Sequence, residues 1–63
     1  MPVIHVYLFE GRTLEQKRKL VMSMTEAMVE SLNIKPETVR IHLHNMPKAD
    51  FAVAGVLASD KKD

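Results

Sequence analysis

The sequence predicts an α/β fold: a β-α-β unit with two parallel strands, followed by a short C-terminal hairpin. Three observations carry this. A run of β-branched, aromatic and aliphatic residues spans Val3–Phe9, helical periodicity spans Leu14–Leu32, and residues 39–45 alternate between apolar and polar. Two strands joined by a long helix run parallel and cross over with a right hand.

In the first strand the run is broken only by His5, and both alternating faces, Val3, His5, Tyr7, Phe9 and Ile4, Val6, Leu8, are largely apolar. That pattern predicts a strand covered on both sides. Glu10 and Gly11 mark a turn, and Thr13-Leu14-Glu15-Gln16 has the capping-box spacing that starts a helix.

At about 100° per residue, Leu14, Leu20, Val21, Met24, Ala27, Met28 and Leu32 gather on one side of the helix. Met22 and Val29 fall on roughly the opposite side, as plain surface residues or as contacts with another subunit. Lys17, a charge on the apolar side, is expected to snorkel outward. Asn33 suits a left-handed cap, and Pro36 confirms that the helix has stopped.

On the second strand Val39, Ile41 and Leu43 share one face, and Arg40, His42 and His44 the other. No second helix is present to cover the far side of the sheet. Residues 51–57 are too short and too small-residued for one and read as a final strand or hairpin, and residues 60–63 read as a frayed charged tail.

The 63 residues are expected to form one domain, residues 1–63, and a chain this short buries only about 60% of its unfolded surface. With no cysteine there is no disulfide to support it, which leaves association as the expected source of stability. Nine Lys plus Arg against eight Asp plus Glu give a net charge of +1, so no global field favours nucleic acid or an acidic membrane. The start lacks a secretory pattern, and no stretch approaches the roughly 20 apolar residues of a membrane span, so a cytoplasmic chain is expected.

The familiar catalytic sets are missing: no cysteine, no nucleophile elbow and no glycine-rich phosphate loop. His42 and His44 stand two apart on one strand face, a spacing able to hold zinc, but no third ligand lies nearby in sequence. They are read as histidines hydrogen-bonded at a subunit contact, and no metal is expected. Pro2 differs, because removal of Met1 would turn its nitrogen into a secondary amine at the head of a strand. Such an amine serves as a base at neutral pH when an apolar pocket and neighbouring cations lower its pKa. Taken alone, proline at a strand start is equally a structural choice.

Taken together, Pro2, Glu10-Gly11-Arg12, Glu15-Gln16-Lys17, Val39-Arg40, Phe51 and Gly55 make the chain resemble the 4-oxalocrotonate tautomerase family along nearly its full length. This family belongs to the tautomerase superfamily, which also contains macrophage migration inhibitory factor. The resemblance implies a cofactor-free tautomerase that interconverts enol and keto forms of an unsaturated 2-oxo acid in aromatic catabolism. It implies a homohexamer built as a trimer of dimers and a mature chain starting at Pro2. By the same resemblance Pro2 is the general base and Arg12 grips the distal carboxylate of a small-molecule carboxylate substrate. Arg40, supplied by a neighbouring subunit, binds the carboxylate and oxygen beside the reacting carbon, and Phe51 is the aromatic wall. Arginine forks onto carboxylates in a bidentate manner and stabilises a developing dienolate.

The chain departs from the family pattern at Ala52 and Ala54, where glycines are common, and at His42 and His44, which replace aliphatic or uncharged positions. Two other readings stand beside this one. Hydrolytic dehalogenation or hydration on the same scaffold would need a carboxylate to activate water, and Asp50 is the candidate, though expected to face solvent. A non-catalytic oligomeric binding module would follow if Met1 is retained, since the Pro2 nitrogen then stays an amide.

Overall fold

In the computed structural model, which describes residues 1–61, strand β1 (Val3–Phe9) leads into helix α1 (Leu14–Leu32) and strand β2 (Arg40–Met46). Strands β3 (Ala52–Val53) and β4 (Val56–Leu57) follow, with single 3-10 turns at Pro36–Thr38, Lys48–Asp50 and Ala58–Asp60. The predicted frayed tail is ordered into a turn as far as Asp60, and residues 62–63 lie outside the described residues.

Local chemistry sets the helix limits. The Thr13 hydroxyl oxygen accepts from the Gln16 N–H at 3.1 Å, and the Gln16 side-chain oxygen accepts from the Thr13 N–H at 3.0 Å. Two otherwise orphaned donors are thereby satisfied. At the far end Asn33 adopts φ 55°, a left-handed conformation that asparagine tolerates, and the Ile34 N–H turns back to the Val29 carbonyl.

Strands β1 and β2 pair in parallel from Val3 opposite Arg40 to Phe9 opposite Met46. The ladder continues at both ends, where the Arg40 N–H donates to the Pro2 carbonyl at 3.0 Å and the Glu10 N–H donates to the Met46 carbonyl at 3.1 Å. Ile4, Val6, Leu8, Ile41 and Leu43 are half-buried, as are Leu20, Val21, Met24 and Met28 of α1. These residues are the meeting faces of sheet and helix. Lys17 is half-buried too, in keeping with a stem lying along apolar surface.

Two expectations change, and a third is only half met within one chain. Helix α1 covers one side of β1, while Val3 (57% exposed), His5 and Tyr7 (64% exposed) lie on the other sheet face, which carries no helix of this chain. Leu14 and Leu32, assigned to the apolar stripe, are exposed, and so is Ala27. A helix of 19 residues is about 28 Å long, whereas a strand of seven residues spans about 23 Å, so the helix ends overhang the sheet. Val29, placed on the outer side, is half-buried, since the return segment at Pro36 lies beside it, while Met22 is exposed as predicted.

The hairpin is tight. Val53 pairs with Val56 across a two-residue turn, with Ala54 at φ 54° and Gly55 at φ 81°. Positive φ at both central residues belongs to the mirror-image turn that matches strand twist. The Ala58 N–H donates to the Phe51 carbonyl at 2.7 Å, closing the arm at its base.

No described residue is fully buried. The chain exposes 5295 Å², against about 4,100 Å² for a compact monomer of its mass. Its radius of gyration of 14.9 Å likewise exceeds the roughly 11 Å of a compact domain of this length. Phe51, Val53, Val56 and Leu57 of the arm account for part of the exposed apolar surface. The free chain therefore has sheet and helix faces in contact but no closed core.

Candidate active site

Pro2 sits immediately before β1, half-buried, and is tied to β2 through its carbonyl. Its nitrogen is acylated by Met1, which is 81% exposed and so accessible to removal. Arg40 lies beside Pro2 along the backbone. Strand alternation places its side chain on the face of His42 and His44, opposite the one that Pro2 continues from Ile4 and Val6. The Arg40 Nη1 donates to the Glu37 carbonyl at 2.6 Å, which holds the guanidinium at the start of β2.

Arg12 occupies the other end of the sheet. Gly11, at φ 111°, lets the chain reverse after β1, and Arg12 follows just ahead of the Thr13 cap. It borders a small cavity of about 90 Å³ with Leu8, Gln16, Lys17 and Leu20, so two cations flank the helix start. Phe51 belongs to the same end. Its ring, 40% exposed, meets Phe9 edge-on at 5.5 Å and 82°. The two rings line an apolar groove of about 410 Å³ with Val53, Val56, Ala58 and Lys61. Asp50 is exposed at the end of its 3-10 turn, as predicted.

The four candidate residues thus fall into two pairs at opposite ends of β1. Six residue steps at about 3.3 Å put those ends roughly 20 Å apart. Within one chain, Pro2 does not meet Arg12 or Phe51. The groove residues Phe9, Val53, Val56 and Lys61 were not singled out from the sequence, because only folding of the arm against the end of β1 brings them together.

The open sheet face holds a second cluster. His5 pairs with His42 across the strands, and Tyr7 with His44. The His5 Nδ1 and His44 Nε2 are 2.8 Å apart, a hydrogen bond in which one ring supplies the proton. The His42 and His44 rings stack at 3.9 Å, and the Tyr7 ring lies almost flat on His44 at 4.4 Å and 13°. Partial loss of solvent, then the neighbouring His42 and His5, hold the His44 pKa below the usual imidazole value. The third histidine that sequence spacing did not reveal comes from β1, through strand register.

The chain thus presents a parallel β-α-β unit with a half-buried proline ahead of β1 and arginines after β1 and on β2. Residues 2–61 match the family described as tautomerase enzyme, and the chain belongs to that family. Among curated relatives, it is 44% identical over 59 residues to a 2-hydroxymuconate tautomerase of a Pseudomonas species, covering 94% of each chain. It is 37% identical over 60 residues to the 2-hydroxymuconate tautomerase of Comamonas testosteroni, covering 95% of each. Among solved structures, a 4-oxalocrotonate tautomerase isozyme of Methylibium petroleiphilum superposes with a TM-score of 0.89 at 45% identity, over 92% of this chain and 91% of that one. The protein is accordingly an isomerase of the tautomerase type. Among the described residues, no helix is long and apolar enough to cross a membrane.

Proposed function

We propose that the chain, once Met1 is removed, interconverts enol and keto forms of a 2-hydroxymuconate-like dicarboxylate, with the Pro2 amine as general base. Pro2 takes the proton from the 2-hydroxyl of the dienol, the oxygen's electrons form the carbonyl, and the double bonds shift along the chain. The protonated amine then returns that proton to carbon, so the step is a net isomerisation without redox change. Arg12 holds the distal carboxylate by a bidentate grip, and Arg40 holds the carboxylate and oxygen beside the reacting carbon, where negative charge develops. Phe51 keeps the surroundings apolar, and an apolar wall with two guanidinium groups lowers the amine's pKa toward neutrality.

The position of Pro2 carries this reading. Pro2 heads β1 directly after the exposed Met1, so cleavage of the Met1–Pro2 bond would convert an inert amide into a basic amine without disturbing the ladder bond of the Pro2 carbonyl. The names of the relatives support the substrate class.

The separation of Pro2 from Arg12 and Phe51 within one chain supports a site built from several copies, and the absence of a closed core among the described residues supports association. A homohexamer arranged as a trimer of dimers is the assembly proposed. In it the single domain of residues 1–63, less Met1, contributes Pro2 to one site and its arginines to others.

The test is steady-state kinetics with 2-hydroxymuconate on protein whose intact mass is short by one methionine. Pro2→Ala should lower kcat by about 10²- to 10⁴-fold, the usual contribution of a positioned general base. Unchanged turnover in that variant ends the proposal.

A further inference from the structure

We propose that His5, His42 and His44 form a three-histidine site for a divalent transition metal, with zinc as the reference ion, on the open face of the sheet. The chain has three histidines and no cysteine, so its entire complement of imidazole ligands converges on one point. One nitrogen from each ring lies within 4.8 Å of the other two.

The geometry follows from register. His5 and His42 are directly paired on neighbouring parallel strands, and His44 is the next residue of β2 on the same face. Three side chains so placed occupy the corners of a triangle with edges of about 5, 7 and 8 Å at the backbone, and their rings lean together above it. Imidazole nitrogens about 2.0–2.1 Å from a tetrahedral zinc lie about 3.3 Å from one another. The 2.8 Å separation of the His5 Nδ1 and His44 Nε2 would open by about 0.5 Å, and His42 would close by a side-chain rotation. The ring that now donates changes tautomer as the ion binds, its proton passing through solvent to its other ring nitrogen, so both facing nitrogens ligate in place of hydrogen bonding.

The surroundings favour the ligating form. An imidazole binds metal only when neutral, and the hydrogen bond between the His5 Nδ1 and His44 Nε2 leaves one of the two facing nitrogens unprotonated. Tyr7, stacked flat on His44, fixes the plane of that ring and is a positioning residue. All three ligands approach from the sheet side, so the fourth position is left to water, as in three-histidine sites that keep an open coordination place. Pro2 continues the opposite face, so this site is separate from the proposed base.

Calorimetric titration of ZnCl₂ into chelator-stripped protein should saturate at one zinc per chain. In the same samples the ring ¹⁵N resonances of all three histidines should shift together at the ligating nitrogens. His42→Gln should weaken binding at least tenfold, with circular dichroism and solution mass matching the parent. Should that variant fail to fold, the ring shifts in the unaltered chain decide alone. Absence of saturable binding, binding that leaves the rings unshifted (as at the terminal amine), or equal affinity in a folded His42→Gln chain each overturns the proposal.

Discussion

The Arg40 N–H donates to the Pro2 carbonyl at 3.0 Å, which locks the residue proposed as the base to the first residue of β2. The bond fixes the Pro2 backbone while leaving its nitrogen free of any ladder role, since proline has no N–H to give. It also shows how little of the proposed site one chain assembles. Arg40 is adjacent through the backbone but sends its side chain to the other face, and Arg12 and Phe51 sit a strand length away.

A first prediction follows from that separation. At substrate concentrations far below KM, Pro2→Ala and Arg12→Ala are each expected to be nearly inactive alone. Unfolding them together and refolding the mixture should give activity above that of either parent, because some sites then combine an intact Pro2 with an intact Arg12 from different chains. A mixture no more active than its components would mean that Pro2 and Arg12 do not share a site.

The two arginines should also separate kinetically. In the proposed site Arg12 holds a carboxylate that is the same in the ground and transition states, so on that assignment Arg12→Ala should raise KM with little change in kcat. Arg40 is assigned by the same proposal to the oxygen where charge develops, so Arg40→Ala should lower kcat, by about 10²-fold if it acts like an oxyanion donor. Equal effects on both parameters in both variants would remove this division of labour.

The missing core predicts concentration dependence. Sedimentation at micromolar concentration should give a mass well above one chain, and dilution should lower helical content and turnover together. Met22, Val53 and Val56, all more than half exposed in the free chain, are residues expected to become covered. A stable, folded monomer at micromolar concentration would contradict the shared site.

The hairpin gives a stability test remote from the chemistry. Ala54 adopts φ 54°, where an L-residue with a Cβ is strained by about 1 kcal/mol, and asparagine tolerates that conformation better. Ala54→Asn should raise the denaturation midpoint slightly. Gly55→Ala should lower it, at a cost of about 1 kcal/mol of stability through backbone strain alone, because a Cβ at Gly55 would meet no atom within 4 Å. The opposite ranking in chemical denaturation would refute this turn geometry.

Local pattern made the elements legible. The Thr13 and Gln16 capping pair, the Asn33 stop and the alternation from Arg40 to Leu43 act over three or four residues, and each appears in the structure where its chemistry demanded. Helical periodicity was less reliable for Leu14, Ala27, Leu32 and Val29. A wheel shows which residues share a direction but neither how far the sheet extends beneath them nor where the chain returns at Pro36.

Of the candidate site, the residue types were readable and their placement was not. Pro2, Arg12, Arg40 and Phe51 stand out along the chain, yet only the parallel register shows that they lie at two ends of a strand. The histidines show the same limit. His42 and His44 announce themselves by a spacing of two, whereas His5 is 39 residues from His44 in sequence and within hydrogen-bond distance in space.

By itself, then, the sequence determined the order and kind of the elements, because capping, turn formation and alternation are local interactions. Tertiary structure decided which faces stay open and which distant residues meet, because strand register and the overhang of a helix are relations between segments that no local window contains.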